Sequence, residues 1–228
     1  MSSAITMLDT RAVTALACPV CGLRLAERSG ALVCDRQHAF DIARQGYVNL
    51  LPGTAVTGTA DTPAMLEARS AFLGRGHYAP IADAVGEAAA TTLKDGPVGC
   101  VAEVGAGTGY YLAAVLDRLP EHAGLALDIS KAAAKRAARA HARIAAVVCD
   151  VWRRLPVRDG AVALVLDVFA PRNPAEFSRV LAPGGALVIV TPTAEHLREI
   201  VGPLGLLGME EHKGERLDRA LEGRFERV

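Results

Sequence analysis

Three cysteines and one histidine near the start of the chain have the residue types and the spacing of metal ligands. Cys18 and Cys21 form C-x-x-C, and Cys34 and His38 form C-x-x-x-H after twelve intervening residues. Thiolates and an imidazole at these spacings can meet at one tetrahedral Zn2+, and four protein ligands leave no position for a reacting water. The pattern therefore predicts a structural zinc site. The alternatives are buried free cysteines beside a surface histidine, or a redox C-x-x-C, which needs a preceding strand that the sequence does not indicate.

A glycine-rich segment, VAEVGAGTGYY, is the second signature of a binding site. It places Glu103, Gly105, Gly107 and Gly109 where a strand is predicted to become a helix, and glycine there lets the backbone approach a ligand closely. The G-x-G-x-G spacing differs from the G-x-G-x-x-G of dinucleotide-binding folds. With an acidic residue two positions before the first glycine, it resembles the first motif of class I methyltransferases. A tight turn or another nucleotide site is the alternative.

Two carboxylates follow at the distances that an adenosine-containing cofactor requires. Asp128 ends the second predicted strand, about twenty residues further on, where a carboxylate can accept both ribose hydroxyls. Asp150 follows the third strand and either accepts the adenine amino group or is a solvated carboxylate at a strand end. Together with the glycine turn, these positions predict S-adenosylmethionine as the cofactor.

The elements that must position these residues alternate between helices and strands. Five apolar strands are predicted with helices between them, and Ser130 is expected to cap the helix that begins KAAAKRA. This alternation predicts an α/β fold with a doubly wound, Rossmann-like parallel sheet, as in class I methyltransferases, preceded by a small zinc-binding module. The strands are GCVAEV, LALDI, IAAVVCD, AVALVLDVF and ALVIVTP.

The segment between the cysteine group and this alternating region has two parts. Residues 51–63 are rich in Gly, Thr and Pro and are predicted to be a flexible connection. Residues 64–73 have helical spacing, and the predicted buried face comprises Met65, Leu66, Ala68 and Phe72.

Composition and charge limit the classes of partner. The 228 residues carry 25 basic and 25 acidic side chains, so the chain has no net field that attracts nucleic acid, and any RNA contact must be local. No stretch approaches the roughly 20 apolar residues of a membrane span, and residues 1–17 lack the apolar core of a secretory signal. We therefore expect a cytoplasmic protein with reduced cysteines and no membrane partner.

Four segments together carry a resemblance to one family. They are CPVCGLRL, CDRQHAFDIARQGYVNLLP, AMLEARSAFLGRGHYAPI and EVGAGTGYYL. They resemble the large-subunit (23S) ribosomal RNA guanine-N1 methyltransferases of the RrmA and TlrB type, a group related to macrolide resistance. The match runs from about Cys18 to Lys213. The combination of HxFDxAxxGYVNLLP with the cysteine and histidine group is not a general feature of methyltransferases.

The resemblance implies the partners of several residues. The four zinc ligands would belong to a module that contacts ribosomal RNA of the large subunit, and the methyl acceptor would be N1 of a guanine in a hairpin loop. Tyr78, Gly107, Thr108 and His196 would line the cofactor site. From the residues alone, Tyr78 can equally pack beside the sheet, and His196 can be an ordinary residue of a first helical turn.

Methylation at N1 sets requirements for the acceptor side of the site. A ring nitrogen attacks the sulfonium methyl group, so the guanine must lose its N1 proton and must be unpaired. Asp167 ends the fourth strand, where this fold presents groups to the acceptor, and is the candidate catalytic residue that either accepts the proton or orients the base. Phe169 either stacks on the flipped base or lies buried under the sheet edge.

With the resemblance, the chain divides into three parts. Residues 1–50 would form the zinc-binding RNA-recognition module, residues 51–77 a linker and connecting helix, and residues 78–228 the methyltransferase domain. Family members continue for several dozen residues beyond the place where this chain ends, so this domain is expected to lack its last strands. An edge strand without its neighbour can pair with another chain, which makes a homodimer one expected assembly.

Two other functions stay open at this point. A small-molecule methyltransferase would have the same glycine turn, although small substrates rarely need an added zinc module. A non-catalytic RNA-binding relative would keep the fold without the activity. The basic residues of the module do not decide the matter, because a mixed-charge surface explains them as well as a phosphate-binding surface does; they are Arg24, Arg28, Arg36 and Arg44.

Overall fold

The computed structural model describes residues 8–52, 60–193, 195, 196, 199, 203 and 213–228. The strands within these ranges are β1 (Leu25–Arg28), β2 (Ala31–Cys34), β3 (Ala39–Asp41), β4 (Tyr47–Asn49), β5 (Cys100–Val104), β6 (Ala123–Asp128), β7 (Ile144–Val148), β8 (Val162–Val168) and β9 (Leu181–Val190). They form a small antiparallel sheet of order β1–β2–β3 and a large parallel sheet of order β4–β7–β6–β5–β8–β9.

The large sheet confirms the predicted fold class but has one strand more than expected. The five predicted strands are β5 to β9, and the sixth is β4, which pairs in parallel with β7. Strand β4 has three residues with one buried side chain, Val48, and is too short for alternation to reveal it. The predicted count of five strands is therefore wrong for the described residues. A segment assigned to the zinc-binding module forms an edge of the large sheet.

Helices cover both faces of the large sheet. Helices α3 (Ala79–Thr92), α4 (Tyr110–Arg118) and α5 (Lys131–Ala137) pack on one face, and α1 (Thr10–Ala15) and α6 (Pro174–Val180) pack on the other. Because both faces are buried, β8 is apolar along its whole length except at Asp167. The other described helices are α2 (Pro63–Leu73) and α7 (Lys213–Leu221).

Side-chain caps fix where several helices begin. Ser130 Oγ accepts a hydrogen bond from the Ala133 backbone N–H (3.3 Å), which confirms the predicted cap of α5. Thr62 caps α2 in the same way, and Asn173 caps α6. Each cap satisfies one backbone donor that would otherwise lack a partner at a helix start.

The predicted buried face of α2 is wrong at three of its four positions. Leu66 is fully buried, but Met65 is 52% exposed, Phe72 is 45% exposed and Ala68 is exposed. Only a narrow stripe of the helix is covered, and Leu73, one heptad after Leu66, is its other buried residue. The predicted helix is confirmed, but a hydrophobic period does not show how many neighbouring elements cover the helix.

The small sheet and α1 share the core of the large sheet. Leu25 and Leu32 of the small sheet are buried in the same apolar cluster as Leu16 and as Leu125 of β6. The chain after α1 meets the segment before β8, where the Ala17 backbone N–H donates to the Pro156 carbonyl (2.9 Å). Residues 8–50 therefore share their core with the large sheet. No helix of the described residues is both long and apolar enough to cross a membrane.

Candidate functional site

The cysteine and histidine group converges on one point. The ligand atoms of Cys18, Cys21, Cys34 and His38 lie within 4.8 Å of one another. The Sγ atoms of Cys21 and Cys34 are 3.7 Å apart, and Nδ1 of His38 lies 3.5 Å from Cys18 Sγ and 3.4 Å from Cys34 Sγ. Tetrahedral bonds of about 2.3 Å to sulfur and about 2.0 Å to nitrogen give edges of about 3.5 to 3.8 Å. The four atoms fit the corners around one Zn2+.

Local turns aim these ligands and favour a thiolate. The Cys18 N–H donates to the Leu23 carbonyl (2.8 Å), and the Cys34 N–H donates to the His38 carbonyl (3.1 Å). Burial opposes ionisation of Cys34, but the backbone N–H groups of His38 and Arg36 and the side chains of Cys21 and Cys18 together outweigh it and lower the pKa of this thiol to about 7. Burial raises the pKa of Cys18. A bound cation would ionise such thiols outright.

The glycine turn between β5 and α4 is shaped by left-handed backbone. Gly105, Gly107 and Gly109 have φ values of +64°, +53° and +76°, a region that other residues rarely adopt. The Ala106 N–H donates to the Leu127 carbonyl (3.1 Å), which holds the turn against the end of β6. The turn therefore stands open beside the carboxyl end of the sheet, where doubly wound folds bind ligands.

Asp128 is tied directly to the glycine turn. Its carboxylate accepts hydrogen bonds from the backbone N–H groups of Gly107 and Ser130, both at 2.8 Å. Burial raises the pKa of this carboxyl, and these two N–H groups counteract the increase. The hydrogen bonds fix the orientation of the carboxylate, whose remaining lone pairs can accept ribose hydroxyls.

Asp150 lies one strand further along the same edge. Its Oδ1 accepts a hydrogen bond from the Trp152 backbone N–H (3.0 Å), and its Oδ2 lies 3.3 Å from Arg153 Nε. The end of β7 is joined to the end of β6, because the Cys149 N–H donates to the Asp128 carbonyl (2.9 Å). Asp150 is thus on the predicted edge, but its carboxylate already has two local partners.

Glu103 has a structural contact that the sequence did not indicate. Its Oε2 accepts a hydrogen bond from the Leu112 backbone N–H (3.2 Å) in the first turn of α4. The residue is 2% exposed, and burial raises its pKa to about 8, with Asp128 and Asp167 adding to the increase and the Leu112 N–H opposing it. Glu103 therefore anchors α4 with one oxygen, and it also borders the cavity at the glycine turn.

A cavity of about 280 Å³ opens over the turn. Five of the predicted cofactor residues line it, namely Tyr78, Glu103, Gly105, Gly107 and Thr108. The cavity also has an aromatic wall, which we define as Phe72, Tyr78, Tyr111 and Phe169. The ring centroid of Tyr78 lies 5.3 Å from that of Phe72 and 6.4 Å from that of Phe169, both in edge arrangements.

Phe169 is held in a strained conformation at the mouth of this cavity. Its φ is +55°, and its N–H donates to the Val190 carbonyl (3.1 Å) of β9. Its ring makes angles of 71° and 67° with the rings of Tyr78 and Tyr111, so neither tyrosine stacks parallel on it. The side chain is 41% exposed. Strained backbone of this kind costs on the order of 1–3 kcal/mol and clusters at functional sites.

Asp167 lies behind this wall and not in it. It is fully buried, whereas the next residue, Val168, lines the cavity, and successive side chains of a strand point to opposite faces. Arg172 forms an ion pair with it, with Nε 3.8 Å from Oδ1, and neither oxygen has a hydrogen-bond partner among the described residues. Burial raises the pKa of Asp167 to about 7, while Arg172 and the nearby Ala170 N–H lower it.

A larger cavity of about 780 Å³ lies between the zinc group and the segment after β7. Cys18 to Gly22 form one side, and residues from Arg153 to Asp159 form the other. Arg153 and Arg154 are mostly exposed there, and Trp152, beside them in sequence, is 66% exposed. The zinc group thus borders a groove that reaches Asp150 at the edge of the large sheet.

The structure brings most, but not all, of the predicted residues together. His196 lines neither cavity, and its backbone N–H donates to the Thr193 carbonyl (3.1 Å), so its predicted contact with the cofactor stays a prediction. Arg69 and Tyr111 line the smaller cavity and were missed. Arg69 stands in the segment AMLEARSAFL on a helix whose period was recognised, but its orientation depends on the packing of that helix.

Comparisons with known proteins agree with this geometry. Residues 16–55 match the family model described as RlmA, N-terminal, a zinc ribbon, and residues 101–185 match a methyltransferase domain. A solved structure from Methanococcus maripaludis, named for S-adenosylmethionine-dependent methyl transfer, is 18% identical, with a TM-score of 0.54 over 75% of this chain and 86% of that chain. The latter similarity shows the class I methyltransferase fold alone.

Two relatives match nearly the whole chain. The 23S rRNA (guanine(748)-N(1))-methyltransferase of Streptomyces fradiae is 48% identical over 213 residues, which are 93% of this chain and 76% of the relative. A relative from Micromonospora griseorubida, whose name refers to 23S rRNA guanine-N1 methylation, is 52% identical over 92% of this chain and 77% of its own length. The chain therefore belongs to the family of 23S rRNA (guanine-N1)-methyltransferases.

Proposed function

We propose that this chain transfers a methyl group from S-adenosylmethionine to N1 of a guanine in a hairpin loop of large-subunit ribosomal RNA. The observation that carries the proposal is the pairing, in one chain, of a zinc-ligand group with an open glycine turn at the sheet edge. The 48% identity to the Streptomyces fradiae enzyme supports the choice of acceptor. The reaction would take place in the cytoplasm, and a homodimer is the assembly to test.

The cofactor and the metal would bind at two separate sites. S-adenosylmethionine supplies a methyl group on a positively charged sulfur. Asp128 would accept the ribose hydroxyls, Asp150 the adenine amino group, and the glycine turn with Thr108 and Tyr78 would border the rest. One structural Zn2+ would be held by Cys18, Cys21, Cys34 and His38. His196 stays a proposed contact of the cofactor.

The acceptor guanine would enter over the aromatic wall. Phe169 presents an exposed ring at the mouth of the cavity, and stacking on an aromatic side chain is how proteins hold an unpaired base. The base must also lose its N1 proton. Asp167, two residues away, would act either on that proton or on the position of the loop, and its burial favours the positioning role.

The larger cavity offers a path for the RNA flanking the guanine. Its two sides are the zinc group and the arginine-containing segment after β7, and Asp150 on its border would touch the cofactor. Exposed Arg153 and Arg154 can approach phosphates, although Asp150 and Asp159 pair with them. The net charge of zero is compatible with such a local contact.

The deciding experiment uses undermodified 23S rRNA and labelled S-adenosylmethionine. N1 methylation blocks Watson–Crick pairing, so reverse transcription should stop beside one guanine, and guanine 748 is the first position to examine. The Gly107→Val variant is the control, because a side chain there fills the turn where the cofactor must lie. Label on small amines or phenols and none on RNA would overturn the proposal in favour of a small-molecule methyltransferase. Binding of RNA without any methylation would indicate a non-catalytic relative.

Asp167→Asn tests the two roles of this carboxyl. If Asp167 accepts the N1 proton, single-turnover methylation at saturating RNA should lose its rise with an apparent pKa of about 7 in the variant. If Asp167 positions the loop, the rate should fall at all pH values by a similar factor while the shape of the profile is kept.

A further inference from the structure

Arg69 of α2 points into the cofactor cavity. It lines the cavity together with Gly105, Gly107 and Thr108, and its Nη1 lies 3.3 Å from the position that a Cβ on Gly107 would take. Among the residues that line the cavity, Arg69 is the one with a cationic side chain, and Glu103 is the one with a carboxyl group. A guanidinium beside a glycine turn is a ready partner for a carboxylate, because its planar donors bind both oxygens.

Helix α2 is held in place by contacts that converge on the cofactor side of the sheet. Arg69 forms an ion pair with Asp61, whose backbone carbonyl accepts a hydrogen bond from Ser130 Oγ (2.8 Å). Ser130 in turn donates its backbone N–H to Asp128 Oδ1 (2.8 Å). Further along α2, Glu67 accepts a hydrogen bond from Arg136 of α5 (2.7 Å). The segment that carries Arg69 is thus tied to the carboxylate expected to bind ribose.

The order of groups along the turn sets the direction of the cofactor. Asp128 accepts a hydrogen bond from the Gly107 N–H, and Gly107 also lines the cavity that contains Arg69 and Glu103. A cofactor whose ribose is held by Asp128 would therefore extend its amino-acid end into the adjoining cavity. That end carries a carboxylate and an ammonium group. A carboxylate placed beside Glu103 without a cation would be a costly unpaired charge.

We propose that Arg69 binds the carboxylate of the cofactor's amino-acid end, and that Asp61 holds the guanidinium in position before the cofactor arrives. This inference rests on the proposed use of S-adenosylmethionine. Arg69 is 44% exposed on its side chain and Asp61 is 22% exposed, so the pair is accessible to a ligand. The role of Arg69 differs from that of the glycine turn, because Arg69 would bind the carboxylate of the amino-acid end, and the adenosine part of the cofactor has no such charge.

Two ligands separate the carboxylate contact from the rest of the site. S-adenosylhomocysteine has the amino-acid end, and 5′-methylthioadenosine has the same adenosine thioether without it. By isothermal titration calorimetry, Arg69→Met should weaken binding of S-adenosylhomocysteine by roughly 10- to 100-fold, the range of a charge-assisted hydrogen-bond pair. It should leave the affinity for 5′-methylthioadenosine unchanged. Arg69→Lys should restore part of the loss, because charge remains without the planar donors.

The matched control is Arg136→Met, which removes an arginine from the contact between α2 and α5 but not from the cavity. It should change the affinities for the two ligands by equal factors. An equal loss for both ligands in Arg69→Met would show that Arg69 only positions α2, and no loss for either would also overturn the inference. A folded wild-type chain that binds neither S-adenosylmethionine nor S-adenosylhomocysteine would instead overturn the proposed function.

Discussion

Glu103 illustrates how one buried side chain serves both the fold and the site. Its carboxyl group accepts a hydrogen bond from the Leu112 N–H in the first turn of α4 and borders the cavity at the glycine turn. Burial raises its pKa to about 8, so near neutral pH the group is largely protonated. A nearby cation, such as the ammonium group of a cofactor, would favour the charged form.

Glu103→Gln should change how stability depends on pH. The pKa of Glu103 is about 8 in the folded chain and 4.5 as its ordinary value. The unfolded chain therefore releases this proton first, so the wild type should lose stability relative to the variant as pH rises from about 4.5 to about 8, by more than about 1 kcal/mol. Urea unfolding of both proteins at pH 5 and pH 8 measures the difference. A difference in unfolding free energy that is the same at both pH values would contradict the expectation.

Phe169 gives a second expectation at the level of one side chain. Phe169→Leu should lower kcat/KM for RNA by roughly 5- to 100-fold, because base–aromatic stacking contributes about 1–3 kcal/mol. Phe169→Tyr keeps the flat ring and should retain most of the activity. Because Phe169 also lines the cavity, calorimetry with S-adenosylhomocysteine measures any loss of cofactor affinity, and the loss of kcat/KM for RNA should exceed it in Phe169→Leu. If Phe169→Leu and Phe169→Tyr lower kcat/KM for RNA by equal factors, stacking on a base is not the function of the Phe169 ring.

At the scale of the elements, the turn before α4 must pass close to α5. Gly109 is the N-cap of α4 with a φ of +76°, and a Cβ there would lie 3.0 Å from the Cα of Ala137. This contact is with backbone, which cannot move aside as a flexible side chain can. The third glycine of the motif is therefore required by the packing of two helices. Gly105 borders the cavity and also packs closely, because a Cβ there would lie 2.8 Å from the Cβ of Ala170, whereas Gly107 borders the cavity beside Arg69.

Gly109→Ala should destabilise the chain by about 2–4 kcal/mol, from left-handed strain of about 1–2 kcal/mol and the close contact with α5. Gly76→Ala is the matched control, because Gly76 has a φ of +79° but nothing within 4 Å of the added Cβ. Its cost should come from the backbone strain alone. Chemical denaturation of both variants gives the comparison, and equal costs would show that the contact with Ala137 is relieved by movement of α5.

At the scale of the whole molecule, the zinc group shares its apolar core with the large sheet. Cys18, Leu25, Leu32 and Cys34 lie in the same apolar cluster as the strands of the large sheet. Strand β4 follows β3 of the small sheet in the chain and forms an edge of the large sheet. Loss of the metal should therefore destabilise the large sheet as well as the residues that bind the ion.

Removal of zinc by a chelator should lower the thermal midpoint of the whole chain in one cooperative transition. The reason is that binding energy at the four ligands stabilises a core shared with the large sheet. In each condition the midpoint from calorimetry should equal that from near-ultraviolet circular dichroism, and the shared midpoint should be lower with chelator than without it. Two separate transitions, with the later one unchanged by the chelator, would show that the two parts fold independently. Cys34→Ser should reproduce the effect of the chelator.

The features that the sequence determined by itself are those set by local spacing. The four zinc ligands belong to two short turns, and the glycine turn with Asp128 follows from strand-to-helix order, so both could be found without knowing the neighbours. The parallel sheet could be predicted for the same reason, since each of β5 to β9 is mostly apolar and helices separate them in the chain.

Tertiary structure alone decided which side of each element faces which neighbour. It placed β4 in the large sheet, left Met65 and Phe72 exposed, turned Asp167 away from the cavity and turned Arg69 into it. None of these is visible in a hydrophobic period, because a period defines a face without saying what covers it. What covers a face depends on contacts between residues far apart in the chain, such as Arg69 beside Gly107.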